Sequence, residues 1–287
     1  MDLRKGIYLT LLASLFYLLV NGLASRLDRF PIAQILFLQN ITALVCLLPF
    51  AWQKMSTPLW KLHLIRDFSG LASYFLIFQA LKTCNLVDVT TLHFTSPFFV
   101  PFISFIWFKE KISSSIWGSI AIGFIGVVTI LNPSQAIFKG DSLFALLAAI
   151  AGAIGISAVR NLNLHQEPIE RILFFFFAVG TLITLPFAYS QWLTPTPQES
   201  LLLSLVGIFA LLNHLFVTRA FFYAPASYLA SLSYTAILYA ALFGWIFLNE
   251  PIGLRSLFGS LLIIAGGCIT YFNSLRKPQG LLPKQQQ

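Results

Sequence analysis

The stretch FIWFKEKI, Phe105–Ile112, closes a long apolar run with three consecutive charges, Lys109, Glu110 and Lys111. A near copy, WIFLNEPI, Trp245–Ile252, closes another run 140 residues later. Outward from there the same offset sets Ala80 on Ala220, Thr95 on Thr235, Glu110 on Glu250 and Ile112 on Ile252. One inserted residue moves the offset to 141, and Gly118 then falls on Gly259, Ser119 on Ser260, Gly126 on Gly267 and Thr129 on Thr270. The first helices match more loosely, through ASR at 24–26 and AVR at 158–160. One unit is written twice along the chain.

Composition says where that unit lives. The 287 residues are 57% hydrophobic and 10% charged, against about 25% charged in a soluble domain, and the mean hydropathy is +0.81. A membrane helix needs about 20 mostly apolar residues. Ten runs qualify as spans: Ile7–Ala24, Pro31–Trp52, Phe68–Leu81 (a short one), Val89–Phe108, Ile112–Leu131, Leu143–Val159, Ile172–Tyr189, Leu201–Phe222, Ser227–Leu248 and Leu254–Phe272. A β-barrel would alternate in polarity, and LFFFFAVGTLITLPFAY, 173–189, does not. The expected fold is an all-α integral membrane protein of ten helices. Residues 1–133 form one five-helix repeat, 134–275 the second, and 276–287 a disordered tail.

Five is odd, so the second unit enters the membrane from the opposite side. With the N-terminus in the cytoplasm, the outer loops hold only Arg26, Arg29, Lys82, Lys139 and Arg255 of the 18 Lys and Arg residues. The positive-inside rule favours that arrangement, with both termini cytoplasmic. It also explains the net charge of +8 as topology, which speaks against a nucleic-acid partner. The lipid bilayer and a small-molecule substrate are the expected partners. The three cysteines, Cys46, Cys84 and Cys268, have neither disulfide nor metal spacing. The first run lacks a small-residue cleavage site and reads as a retained span.

The segment ALKTCNLVDVTTLHFTSPFF, 80–99, through Glu110 and the following glycines, and its counterpart RAFFYAPASYLASLSY, 219–234, resemble the two blocks of EamA-type members of the drug/metabolite transporter superfamily. The resemblance runs to about residue 275. It implies ten helices, transport of a small metabolite, and a bacterial inner (cytoplasmic) membrane. The stretch SQWLTPTPQESLLLSLVG, 190–207, is further similar to S-adenosylmethionine uptake carriers of that type. Two positions depart from the pattern: Ile237 stands opposite Pro97, and Gln39-Asn40 where many relatives carry a basic residue.

Polar side chains in a bilayer are costly and so mark function. The ten Asp and Glu residues read as lying at helix ends or in loops, which speaks against a carboxylate relay. Glu110 and Glu250 read as marks that close a helix in each repeat. The candidate substrate-binding residues are neutral: Ser14, Tyr17 and Asn21 on one face of the first helix, Tyr74 and Gln79 on the third, and His93 and Thr95 on the fourth. The second half adds Asn213 and His214 on the eighth helix and Tyr228, Ser233 and Tyr234 on the ninth. At the 140 offset Tyr74 pairs with His214 and His93 with Ser233. The competing reading is that these groups are hydrogen bonds between helices, each worth about 0.6 kcal/mol. Tyrosines suit a planar ring or a cation, hence an amino-acid-like or nucleoside-like solute such as S-adenosylmethionine. A phosphate would need Arg or Lys in the cavity, and only Lys82 and Arg219 come near by this reading. Gly118–Gly126 and Gly259–Gly267 read as packing, within the fold or in a homodimer. No catalytic motif, metal-ligand spacing or cofactor signature occurs, so the chain reads as a transporter driven by a gradient or by exchange and not as an enzyme. The alternative is a broad exporter of amino acids or hydrophobic drugs; a membrane enzyme or scaffold is the weakest reading.

Overall fold

The structure is a computed structural model that describes residues 2–24, 26–27, 29–51, 56–81, 86–109, 112–133, 142–239, 242 and 253–276. Among the described residues the regular structure is all helical: α1 (Leu3–Ala24), α2 (Ile32–Ala51), α3 (Trp60–Leu81), α4 (Leu86–His93), α5 (Ser96–Phe108), α6 (Ser114–Leu131), α7 (Ser142–Leu164), α8 (Ile169–Ser190), α9 (Pro197–Tyr223), α10 (Ala226–Leu229), a 3-10 turn (Ala230–Tyr234) and α11 (Leu254–Arg276). Eight segments of the described residues are long and apolar enough to cross a membrane. Large apolar side chains cover the outside; Ile106 and Leu182 are each 70% exposed, a surface that lipid suits and water does not.

The first quoted stretch ends its helix through the backbone. Lys109 takes the left-handed conformation at φ 53°, and its N–H caps the carbonyl of Phe105 at 2.9 Å. Asn132 ends α6 in the same way at φ 45°. Glu110, the second quoted stretch with Glu250, and the tail from 277 lie outside the described residues.

Four sequence expectations need correction. The third run does not begin at Phe68: α3 starts eight residues earlier, at Trp60. Its first turns carry Lys61, His63, Arg66 and Asp67, which kept the hydropathy low and hid them from an apolar-run reading. Three of these four are buried: His63 and Asp67 are 0% exposed and Arg66 is 4% exposed. The carboxylates therefore do not all sit at helix ends or in loops. The fourth run is not one helix either. It breaks at Phe94-Thr95 between α4 and α5, because Pro97 at the second position of α5 has no N–H to give the preceding turn. The ninth run is likewise interrupted, at the 3-10 turn, without a proline. Thr95 and Thr235, related by the 140 offset, each donate Oγ1 to the carbonyl three residues back, Leu92 and Leu232, at 2.6 Å.

Packing follows small residues. α6 crosses α11 where a Cβ on Gly126 would lie 2.6 Å from the Gly259 carbonyl, and one on Gly259 2.7 Å from the Gly126 carbonyl. The helices touch backbone to backbone there. These two glycines are spent inside the fold, whereas Gly118 faces open space. The other extensive contacts join α1 to α9, α3 to α7 and α2 to α8. Numbered as apolar runs, these pairs are first with eighth, third with sixth, second with seventh and fifth with tenth. Shifting every run by five exchanges the first two pairs and returns the last two to themselves.

Candidate functional site

The packing of α1 on α9 and of α3 on α7 leaves a cavity of two adjoining lobes beside the α4–α5 break. One lobe, about 220 Å³, lies among α1, α5, α9 and the 3-10 turn. The other, about 210 Å³, lies among α3, α7, α8 and α9. Tyr17, His93, Ser96 and Asn213 line both. The space depends on glycine. A Cβ on Gly152 of α7 would stand 3.3 Å from Ser73 Oγ, 3.7 Å from His93 Cε1 and 3.8 Å from Ser96 Oγ.

The residues singled out from the sequence divide into three groups. Ser14, Tyr17, His93, Asn213 and Ser233 line the first lobe, and Tyr17, Tyr74, His93, Asn213 and His214 the second. Pairs related by the 140 offset meet in the same lobe: Ser73 with Asn213, Tyr74 with His214, and His93 with Ser233. Gln79 and Thr95 line neither lobe, and the Asn21 side chain lies outside the described residues. Tyr228 and Tyr234 are packing residues. Tyr228 joins the apolar cluster around Phe221 and Leu229. The Tyr234 ring, fully buried, closes on Gly123 of α6, where a Cβ would come within 2.6 Å of it. Aromatic character drew attention to both, but periodicity cannot tell a ring facing a cavity from one facing a neighbouring helix.

Hydrogen bonding separates adhesive groups from available ones. Ser14 donates to the Thr10 carbonyl at 3.1 Å and Ser233 to the Ala230 carbonyl at 2.7 Å, within their own turns. Asn213 Nδ2 reaches the Ala13 carbonyl at 2.8 Å and ties α9 to α1. Ser73 Oγ ties α3 to α7 through the Ala148 carbonyl at 2.8 Å. Tyr74, His93 and His214 make no hydrogen bond among the described residues. Among the described residues His93 Nδ1 is buried without a partner, and the His214 ring packs on Phe176 at 4.6 Å and Phe177 at 5.5 Å. Buried polar groups are nearly always satisfied, so the unsatisfied His93 Nδ1, beside the partly buried Tyr74 and His214 that line the same cavity, marks a place for a polar ligand.

The sequence reading missed Arg66, which lines the second lobe. Its guanidinium stacks 3.6 Å from the centroid of Phe176, and Nη1 donates to Asp67 Oδ1 at 3.1 Å. Of the cations named from sequence, Arg219 is exposed and Lys82 lies outside the described residues. The signal for Arg66 was present: Arg66, Gly70, Ser73, Tyr74 and Ile77 follow i, i+4, i+7, i+8, i+11, one helix face, and all five line this lobe. At the base of α3, His63 Nε2 meets Glu167 Oε1 at 2.9 Å, and Arg171 donates to the same oxygen at 3.0 Å. That cluster locks α3 to the turn between α7 and α8. Burial alone would raise the Glu167 carboxyl. The hydrogen bonds from His63, Thr57 and Arg171, with the Arg171 charge, outweigh it and hold the group below its ordinary 4.5.

The profile of the EamA-like transporter family matches residues 4–132 and, a second time, residues 139–272. A pseudopaline exporter of Pseudomonas aeruginosa is 30% identical over 276 residues, covering 93% of this chain and 95% of the exporter. An S-adenosylmethionine uptake transporter of Rickettsia felis is 27% identical over 251 residues, covering 84% and 82%. A protein known from a crystal structure is similar with a TM-score of 0.84 at 16% identity, over 96% of this chain and 99% of that one, a likeness of fold alone.

Proposed function

The chain belongs to the EamA-like transporter family and is a membrane transporter, and from that premise we propose that it carries a small polar metabolite by alternating access, driven by a gradient or by exchange. The solute is amino-acid-like or nucleoside-like, with S-adenosylmethionine the first candidate. The architecture behind it is ten helices in two inverted five-helix repeats, with both termini cytoplasmic and the chain in a bacterial inner membrane. Support for the repeat comes from the double family match and from helix pairing that survives a shift of five runs. Transporters of this design bind at the interface of their repeats, where helices break.

The observation that carries the substrate class is the trio Tyr74, His93 and His214. Among the described residues they keep hydrogen-bonding capacity unspent, His93 Nδ1 while buried, beside a cavity lined from both halves. A hydrophobic solute would leave that capacity unmet at a cost of about 1–3 kcal/mol per buried group. Names of relatives support both directions of transport, one being an uptake carrier and one an exporter. A broad exporter of amino acids or drugs is the second reading, favoured by the exporter's higher identity.

Uptake and exchange of a labelled metabolite panel, S-adenosylmethionine included, in proteoliposomes tests the proposal. We expect saturable flux of one polar solute that falls at least about tenfold in Tyr74→Phe/His214→Phe. Flux of hydrophobic drugs unaffected by that pair would favour the second reading.

A further inference from the structure

We propose that the second lobe is a carboxylate subsite, with Arg66 as the receptor and Asp67 as its resting counter-ion. This rests on the transporter reading of the cavity and specifies the end of the solute that the lobe receives.

A guanidinium offers five N–H groups in a fixed plane. Among the described residues Arg66 spends one, on Asp67, and its side chain faces the lobe. The others have room for a ligand and little else, since Arg66 is only 4% exposed. Stacking on Phe176 fixes the plane of the guanidinium, so the fork is already set for a bidentate acceptor. Asp67 is just as telling. It is 0% exposed, and its Oδ2 has no partner among the described residues. A buried pair satisfied at only one oxygen is a poor device for stability. As a holder for a cation that must stay charged while the site is empty, it is a workable one.

Charge balance selects the anion. Asp67 already offsets the Arg66 charge, and the other groups around the lobe, Tyr74, His93 and His214, add no fixed positive charge. A singly charged carboxylate sharing the guanidinium with Asp67 leaves the lobe one net negative charge, which the solute's own cationic group can offset; a phosphate dianion would leave two. The remaining hydrogen-bonding groups suit the rest of an amino acid. Tyr74 and His214 flank the lobe, and Tyr17 and His93 continue into the adjoining one. A solute would then lie with its carboxylate at Arg66 and its side chain toward the α4–α5 break.

The experiment measures binding to the detergent-solubilised full chain. The probes are S-adenosylmethionine and a set of L-amino acids, each compared with its decarboxylated counterpart. Wild type should bind at least one carboxylate compound about tenfold or more tighter than its counterpart. Arg66→Lys should lose several-fold, having lost the fork. Arg66→Gln/Asp67→Asn removes both charges together and leaves no buried ion alone; checked as monodisperse, it should bind both members of each pair equally. Equal binding of both members by wild type, discrimination kept by the double variant, or no carboxylate compound bound at all would each overturn the proposal. Flux of the same compounds in proteoliposomes separates the two readings. Saturable flux that ignores Arg66 keeps the transporter and ends the subsite, whereas Arg66-dependent binding without flux of any compound does the reverse.

Discussion

Asp67 and Arg66 are adjacent in sequence and buried together, so removing one strands the other. Asp67→Ala should cost about 3–5 kcal/mol, the scale for an uncompensated buried charge, and should lower the thermal midpoint of the purified protein well below that of Arg66→Gln/Asp67→Asn. Equal midpoints would mean that the pair carries no such strain. Glu167 gives a pH signature instead. Its folded-state pKa lies below its ordinary 4.5, so the folded chain binds fewer protons than the unfolded one near that value. The resulting stability is fully present above about 4.5 and is lost as pH falls through the folded value. Thermal midpoints measured from pH 7 downward should drop along an acid limb that Glu167→Gln flattens. At Gly152 a larger side chain fills the space between Ser73, His93 and Ser96. Gly152→Leu is expected to abolish flux, and with it substrate-induced stabilisation in a thermal-shift assay.

Elements were legible to different degrees, for physical reasons. Spans such as α7 and α8 stood out because they are apolar all round, which burial among lipid and helices both require. α3 was half hidden. Hydropathy registers its polar first turns as a loop, yet His63, Arg66 and Asp67 are buried by neighbouring helices rather than by water. The same error that shortened α3 removed Arg66 from the site, although the spacing from Arg66 to Tyr74 was there to be read. The α4–α5 break could have been read from Ser96-Pro97. Its counterpart at the 3-10 turn could not, since Ile237 replaces the proline. From sequence the glycines read as packing, within the fold or in a homodimer, and the structure separates Gly126 and Gly259 from Gly118. Gly126→Ala should destabilise by about 1–3 kcal/mol through overpacking against Gly259, while Gly118→Ala, facing open space, should leave the thermal midpoint unchanged. A neutral Gly126→Ala would contradict the close crossing of α6 and α11.

At the scale of the molecule, the pairing of first with eighth, third with sixth, second with seventh and fifth with tenth runs joins the halves throughout. Each cavity lobe draws on both. Transporters of inverted-repeat design rock one half against the other about a fixed site, and the proposed function gives the cluster at Arg66, Tyr74 and His214 that use. The account depends on the halves entering the membrane in opposite senses. Lys109, within the first quoted stretch at the end of α5, and Arg255, just after the second at the start of α11, are both exposed. The direct measurement introduces a single cysteine at either position, in a chain with Cys46, Cys84 and Cys268 replaced, and labels intact cells with a membrane-impermeant maleimide. The account predicts labelling of Arg255→Cys from outside and of Lys109→Cys only after the membrane is opened. Labelling of both from one side would contradict it.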